Sequence, residues 1–129
     1  MNECIFCQII DGKIPCYKVY EDESFIAFLD IFPRVKGHAL LIPKKHHRWV
    51  NDVPEFGTYW SVAKEVGLNL QKKLKSSYIT YLTMGNEVPH AHIHILPQSN
   101  DIISGFKLDP VVETKKEDMQ ILANILAGK

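Results

Sequence analysis

The sequence reads as one mixed domain of strands and helices in which neighbouring strands run antiparallel. Three observations predict this. Tyr17-Lys-Val-Tyr-Glu21 and Ser24-Phe-Ile-Ala-Phe-Leu-Asp30 are strand-like runs separated by the polar turn Glu21-Asp-Glu-Ser24, a hairpin. Apolar residues then recur at helical spacing from Phe56 to Leu74. Finally, Tyr78-Ile-Thr-Tyr-Leu-Thr-Met84 is rich in β-branched and aromatic residues, and only a short turn at Gly85-Asn86 joins it to the next strand-like stretch, as in antiparallel neighbours. With 129 residues the chain has enough length for one core and too little for two, so residues 1–129 are expected to form one domain.

The stretch around which the chain is organised is Pro89-His-Ala-His-Ile-His-Ile-Leu-Pro97, which holds three of the six histidines. Strict alternation is a strand signal, because successive side chains on a strand point to opposite faces. His90, His92 and His94 would line one face and Ala91, Ile93 and Ile95 the other. The apolar back belongs on a core, so the imidazoles face a cleft or a metal. Along a strand rising about 3.3 Å per residue, the outer two histidines are anchored about 13 Å apart. Zinc–nitrogen bonds are about 2 Å long, so one ion cannot readily collect all three. At least one imidazole is then left for chemistry.

Before the hairpin lies Cys4-Ile-Phe-Cys7-Gln-Ile-Ile-Asp-Gly12, a knuckle that runs into a short helical turn stopped by Gly12. Three readings of Cys4 and Cys7 stay open at this point. A redox pair would want a preceding strand and a βαβ context. A structural zinc half-site needs two further ligands, which the histidines can supply. The third reading is two unrelated cysteines.

After the hairpin, Asp30 closes the second strand-like run just before Pro33, where its carboxylate suits either sugar hydroxyls or turn capping. Gly37-His-Ala-Leu-Leu-Ile-Pro43 reads as a buried strand, and His38 at its start faces the cleft or sits satisfied in the core. Lys44-Lys-His-His-Arg48 is a solvated loop whose His46 and His47 are candidate ligands for the cysteine site. Asp52-Val-Pro-Glu55 reads as a helix start, with Asp52 as N-cap. The stripe that follows, which includes Tyr59 and Trp60, is core or subunit interface. Beyond Pro97 the chain loosens at Asn100-Asp101 and Ser104-Gly105. A second helix, capped at Thr114-Lys-Lys-Glu117, carries Met119, Leu122, Ile125 and Leu126.

Composition excludes some function classes. Fifteen basic and fifteen acidic residues give zero net charge, so there is no electrostatic footprint for nucleic acid or anionic membrane. No apolar run approaches the length of a membrane span. The first residues lack the basic and apolar regions of a signal peptide, so a cytoplasmic setting is expected.

Taken together, the stretches Cys-Ile-Phe-Cys-Gln-Ile-Ile-Asp-Gly-Lys-Ile-Pro, Val-Tyr-Glu-Asp-Glu, Ala-Phe-Leu-Asp-Ile, Gly-His-Ala-Leu-Leu-Ile-Pro-Lys-Lys-His and His90-Ala-His-Ile-His-Ile-Leu-Pro resemble, in order, the histidine triad (HIT) family, in particular its bacterial and archaeal zinc-carrying members. The resemblance covers residues 4–98, whereas 99–129 match only in general character. It implies an α+β, HIT-like fold: an antiparallel sheet of about five strands, a long central helix and a C-terminal helix, assembled as a homodimer with the helix that carries Tyr59 and Trp60 as the expected contact.

The resemblance also implies a nucleotide hydrolase or transferase acting at an α-phosphorus, as a nucleoside phosphoramidase or a dinucleotide polyphosphate hydrolase, on a purine nucleotide or dinucleotide. His92 resembles the nucleophile that forms a covalent nucleotidyl-histidine, His94 its partner at the phosphate and leaving group, and His38 a supporting histidine. Asp30 resembles the ribose-hydroxyl acceptor, Ile31 packs on the base, and Asn86 lies near the ribose and phosphate. Cys4, Cys7, His46 and His90 correspond to the ligands of a structural zinc ion, with His46 preferred over His47 by register.

There is one departure. Many members carry a Gly-Gln-Ser/Thr segment before the triad to cradle the phosphate, where this chain has Gly85-Asn-Glu-Val-Pro89, so Glu87 or the Val88 backbone would have to take over. That departure keeps a second function in view, a nucleotide-binding module with little catalysis. A zinc module that binds nucleic acid is disfavoured by the zero net charge.

Overall fold

The computed structural model describes residues 3–99 and 109–128. The expected loosening at Asn100-Asp101 and Ser104-Gly105 lies outside these residues. Strands β1 (Lys18–Glu21), β2 (Phe25–Leu29), β3 (Ala39–Pro43), β4 (Tyr78–Leu82) and β5 (Ile93–Gln98) form one sheet in the order β1-β2-β3-β5-β4. Every neighbouring pair is antiparallel. Three α-helices, α1 (Ile5–Ile10), α2 (Phe56–Leu74) and α3 (Lys116–Leu126), complete the α+β arrangement expected from the sequence.

The period-two geometry of a strand sorts the sheet's side chains into two cores. Phe25, Ala27, Ala39, Leu41, Ile93 and Ile95 face α2, meeting Tyr59, Ala63, Val66 and Leu70. The alternate residues Ile26, Phe28, Leu40 and Ile42 face the other way, against Phe6 of α1. Because β2 and β3 are covered on both faces, their sequences read as continuous apolar runs. Each such buried aliphatic or aromatic side chain contributes about 1.5–3 kcal/mol by leaving water. The pairing of Leu40 with His94 places that histidine on the α1 side of the sheet, away from α2.

Helix α2 is held by more than its apolar stripe. Tyr59, fully buried, stacks on Phe25 at 5.1 Å and donates its hydroxyl to the Leu41 carbonyl at 2.7 Å. Gly67 faces Tyr81 of β4 so closely that a Cβ would collide with the tyrosine hydroxyl. Glycine inside a helix costs about 1 kcal/mol relative to alanine, and here that cost lets helix and strand lie together. The helix ends on Lys75 in the left-handed region, φ 55°, whose N–H closes onto the Gln71 carbonyl.

Four local expectations are corrected. Asp52 does not cap α2: it lies in a 3₁₀ turn over Val50–Asp52, and Pro54 separates that turn from a helix that begins at Phe56 with Glu55 as N-cap. Proline disfavours helical geometry in the residue before it, so the chain takes an extended step at Val53. Thr114 does not cap α3; its hydroxyl bonds the Val112 carbonyl, and Lys115 is the N-cap. The strand carrying the histidines starts only at Ile93, because His90 and His92 are drawn out of the ladder by side-chain partners described below. Tyr59 belongs to the monomer's own core, so on α2 it is Phe56 and Leu68 that show apolar surface. Helix α3 buries none of its residues, and Met119, Leu122, Ile125 and Leu126 are all exposed.

Candidate active site and metal centre

Two clusters meet at the N-terminal end of β5. The first is built on the short helix α1. Cys4 is its N-cap and Cys7 lies one turn on, so one helical turn presents both sulfurs to the same side. His90 Nδ1 lies 3.3 Å from Cys4 Sγ, 3.4 Å from Cys7 Sγ and 3.1 Å from His46 Nδ1, while His46 Nδ1 lies 3.2 Å from Cys7 Sγ. All four ligand atoms fall within 4.8 Å of one another. A zinc tetrahedron with bonds of about 2.0–2.3 Å has ligand-to-ligand edges of about 3.3–3.8 Å; the cluster's closest spacings lie at or a few tenths of an ångström below that range, so these residues fit the ion in number and chemistry and nearly in spacing. The donor set is also oriented for it. His90 Nε2–H donates to the Pro43 carbonyl at 2.9 Å, which leaves the Nδ1 lone pair turned toward the cysteines. His47 points elsewhere and contributes its carbonyl to the Ala91 N–H, so the loop presents His46 to the cluster.

The second cluster contains His92, His94 and His38. His92 is buried, its ring edge-on to Phe6, and its Nδ1–H donates to the His90 carbonyl at 2.8 Å. That bond orients the ring and turns Nε2 toward the cavity, where in the free site it donates to Glu87. Thr83 holds the His92 carbonyl at 2.9 Å and so anchors the backbone beside it. Burial pushes the His38 imidazole toward its neutral form, against the opposing pull of Asp30. Its Nδ1 accepts the Arg34 N–H, so the ring proton is on Nε2 and is donated to His94 Nδ1 at 2.9 Å. His94 must then present an Nε2–H to the cavity. The chain Arg34–His38–His94 thus settles which atoms of the site are donors.

Glu87 sits where both imidazoles converge. Its Oε1 lies 2.9 Å from His92 Nε2 and 2.9 Å from His94 Nε2. Partial burial would raise its pKa, but the hydrogen bonds from His92 and His94 outweigh that and hold it below the ordinary carboxylate value. Asp30 takes the turn-capping role. Oδ1 accepts the Phe32 N–H at 2.8 Å as a turn cap, while Oδ2 stays 3.6 Å from His38 Nε2. Beside these groups opens a cavity of about 280 Å³, lined by Asp30, Ile31, Glu87, His92 and His94 together with apolar residues from α1, Cys16 and Phe32. Its walls are mostly apolar and its polar groups few and convergent, as small-molecule sites are.

Of the residues singled out in the sequence, Asp30, Ile31, His92 and His94 line this cavity and His38 stands behind His94. Asn86 lies on the exposed turn after Met84 and is not among the lining residues. Phe32, Phe6, Thr83 and the Arg34 N–H also take part. Of these, Phe6 carried a signal, since it lies inside the Cys4–Cys7 knuckle.

An antiparallel α+β sheet with paired imidazoles at the mouth of an apolar cavity, backed by a Cys₂His₂ cluster, is the architecture of a histidine triad protein. The chain belongs to this family, since the HIT domain matches residues 11–101. An uncharacterized HIT-like protein of Borreliella burgdorferi is 39% identical over 140 residues, covering 97% of this chain and 100% of that protein. An adenosine 5′-monophosphoramidase of Saccharomyces cerevisiae is 37% identical over 105 residues, or 76% of this chain and 64% of that one. A solved HIT-family structure from Bacillus subtilis superposes with a TM-score of 0.85 at 33% identity, covering 99% of this chain and 97% of its own.

Proposed function

We propose that this protein is a nucleotide hydrolase or transferase that acts at an α-phosphorus through a covalent nucleotidyl intermediate on His92. The observation that carries the reading is the pair of fixed imidazoles: His92 with Nδ1–H tied to the His90 carbonyl and Nε2 turned to the cavity, beside His94 Nε2. In the first step the substrate displaces Glu87 and the His92 Nε2 proton passes to water, the freed lone pair attacks phosphorus, the bond from phosphorus to the leaving group breaks, and the leaving amine takes that proton back through water. The ring is then cationic, and its Nδ1–H bond to the carbonyl stabilises that charge. His94 Nε2–H meets the charge on the phosphoryl oxygens. In the second step water attacks phosphorus, the phosphorus–Nε2 bond breaks, the proton of that water passes to His92 Nε2, and a nucleoside monophosphate leaves with His92 restored. Asp30 Oδ2 offers an acceptor for a ribose hydroxyl, Ile31 and Phe32 offer apolar surface for a purine base, and Asn86 reaches the ribose and phosphate once a nucleotide is bound.

Cys4, Cys7, His46 and His90 would hold a structural zinc ion. Zinc would tie the N-terminal segment, the loop after Pro43 and the start of the histidine segment into one unit. The protein would work as a homodimer in the cytoplasm, where reducing conditions keep the cysteines as ligands. The comparisons support the reaction class by kinship with a phosphoramidase, and among the described residues no helix is long and apolar enough to cross a membrane.

The test is intact-protein mass after brief mixing with adenosine 5′-phosphoramidate. A nucleotidyl adduct mapping to His92 is the expected result. AMP binding with neither adduct nor released AMP would favour the second reading, a nucleotide-binding module, for which the Glu87 carboxylate on the nucleophilic nitrogen already speaks.

A further inference from the structure

We propose that Glu87 is the residue that sets which leaving groups this site accepts, selecting substrates whose leaving group is a neutral or cationic amine over those whose leaving group is a polyphosphate. The proposal rests on the α-phosphorus reading above and assigns a role within it. Three observations carry it. Glu87 Oε1 is within 2.9 Å of the Nε2 atoms of both His92, which would attack phosphorus, and His94, which would donate to the phosphoryl oxygens. The cavity's remaining charged residue is a second acid, Asp30, and among the described residues no lysine or arginine lines it. The Glu87 side chain is 39% exposed, so it can turn outward from its backbone without unpacking a core.

The consequences follow from charge. A phosphoryl group that binds here displaces the carboxylate from the two imidazoles, yet the carboxylate remains close by, tethered at the loop before His90. A phosphoramidate brings a low charge and releases an amine, and a departing ammonium is attracted by a nearby carboxylate. A dinucleotide polyphosphate brings several negative charges, finds no resident cation and meets two carboxylates in a partly desolvated site, where such repulsion is least screened. Binding or rejection of a charge across a short distance is the means by which a site discriminates between substrates of similar shape.

The experiment compares kcat/KM for adenosine 5′-phosphoramidate and diadenosine triphosphate in the natural protein, Glu87→Gln and Glu87→Ala. Binding of AMP and of adenosine to each is measured by calorimetry. The expected result is a preference for the phosphoramidate that narrows by about tenfold or more in both variants, chiefly through gained activity on the dinucleotide. AMP should bind several-fold more tightly to Glu87→Gln while adenosine binding is unchanged. The isosteric glutamine keeps the shape of the site, so a loss confined to Glu87→Ala would be packing. An unchanged substrate ratio with unchanged AMP affinity in Glu87→Gln overturns the proposal and leaves the catalytic reading intact. If no form of the protein turns over either substrate or binds AMP, both fall together. If AMP binds without turnover, a tightening in Glu87→Gln supports the charge role and equal affinity overturns it.

Discussion

The carbonyl oxygen of His90 lies 2.8 Å from Nδ1 of His92. The ring of the same His90 is inserted between Cys4, Cys7 and His46. One residue therefore belongs to both clusters, with its side chain in the candidate metal centre and its main chain on the proposed nucleophile. Whatever fixes the His90 ring also fixes the direction in which His92 Nε2 points.

This linkage predicts that removing metal impairs the active site without touching it. Purified protein should contain stoichiometric zinc by elemental analysis. Chelation, or Cys7→Ser, should lower the thermal midpoint and shift the His92 imidazole resonances in an NMR spectrum. A protein that carries no transition metal, or whose His92 resonances ignore its removal, would refute the linkage.

His92→Asn should lower kcat by at least about a thousandfold, because the amide nitrogen of asparagine has its lone pair delocalised into the carbonyl and cannot form the intermediate. AMP affinity should change little, since His94, His38 and Asp30 keep their places. A variant that retained more than a few per cent of turnover would show that another group attacks phosphorus.

The metal-free protein should lose stability as the solution is acidified. His90 is pushed down to about 4, first by burial, with the Pro43 carbonyl opposing and the charges of His46, His92 and His47 adding to the lowering. His38 is lowered too, again first by burial. Unfolded histidine titrates at about 6.5, so below that value the unfolded chain binds protons that the native chain refuses. The stabilisation is thus complete above about pH 6.5 and is lost as pH falls toward about 4. Urea midpoints of chelated protein across that window should decrease, and a flat profile would contradict the burial of these rings.

Lys75→Gly should stabilise the fold. Lys75 is exposed, and its left-handed φ of 55° costs a residue with a Cβ about 1 kcal/mol that glycine does not incur. A rise of a few degrees in Tm is expected by calorimetry. An unchanged or lowered Tm would mean that the gain in unfolded-chain freedom cancels the relieved strain.

Much of this protein was legible in its residues. Alternation and helical spacing are local properties of a chain, so the hairpin, β3, the long helix and the antiparallel pair β4–β5 could all be read directly. The same alternation separated Ile93 and Ile95 from the histidines. The pattern could not say where the ladder begins. His90 and His92 satisfy their ring nitrogens on the Pro43 carbonyl and on the backbone of His90 itself, and those partners come from folding. Asp52 and Thr114 have good capping chemistry, but Pro54 and the Thr114–Val112 bond took them out of the role.

By itself the sequence determined the family, the set of candidate ligands and the histidines available for chemistry, because each is carried by residue type and spacing within a short stretch. Only the tertiary structure decided how those residues are shared out. It brought the ligand atoms of residues 4, 7, 46 and 90 within 4.8 Å of one another, placed His38 behind His94, and set Glu87 on both His92 and His94. Such choices depend on the path of loops and on the balance of burial against charge across distant segments, and no local pattern encodes them.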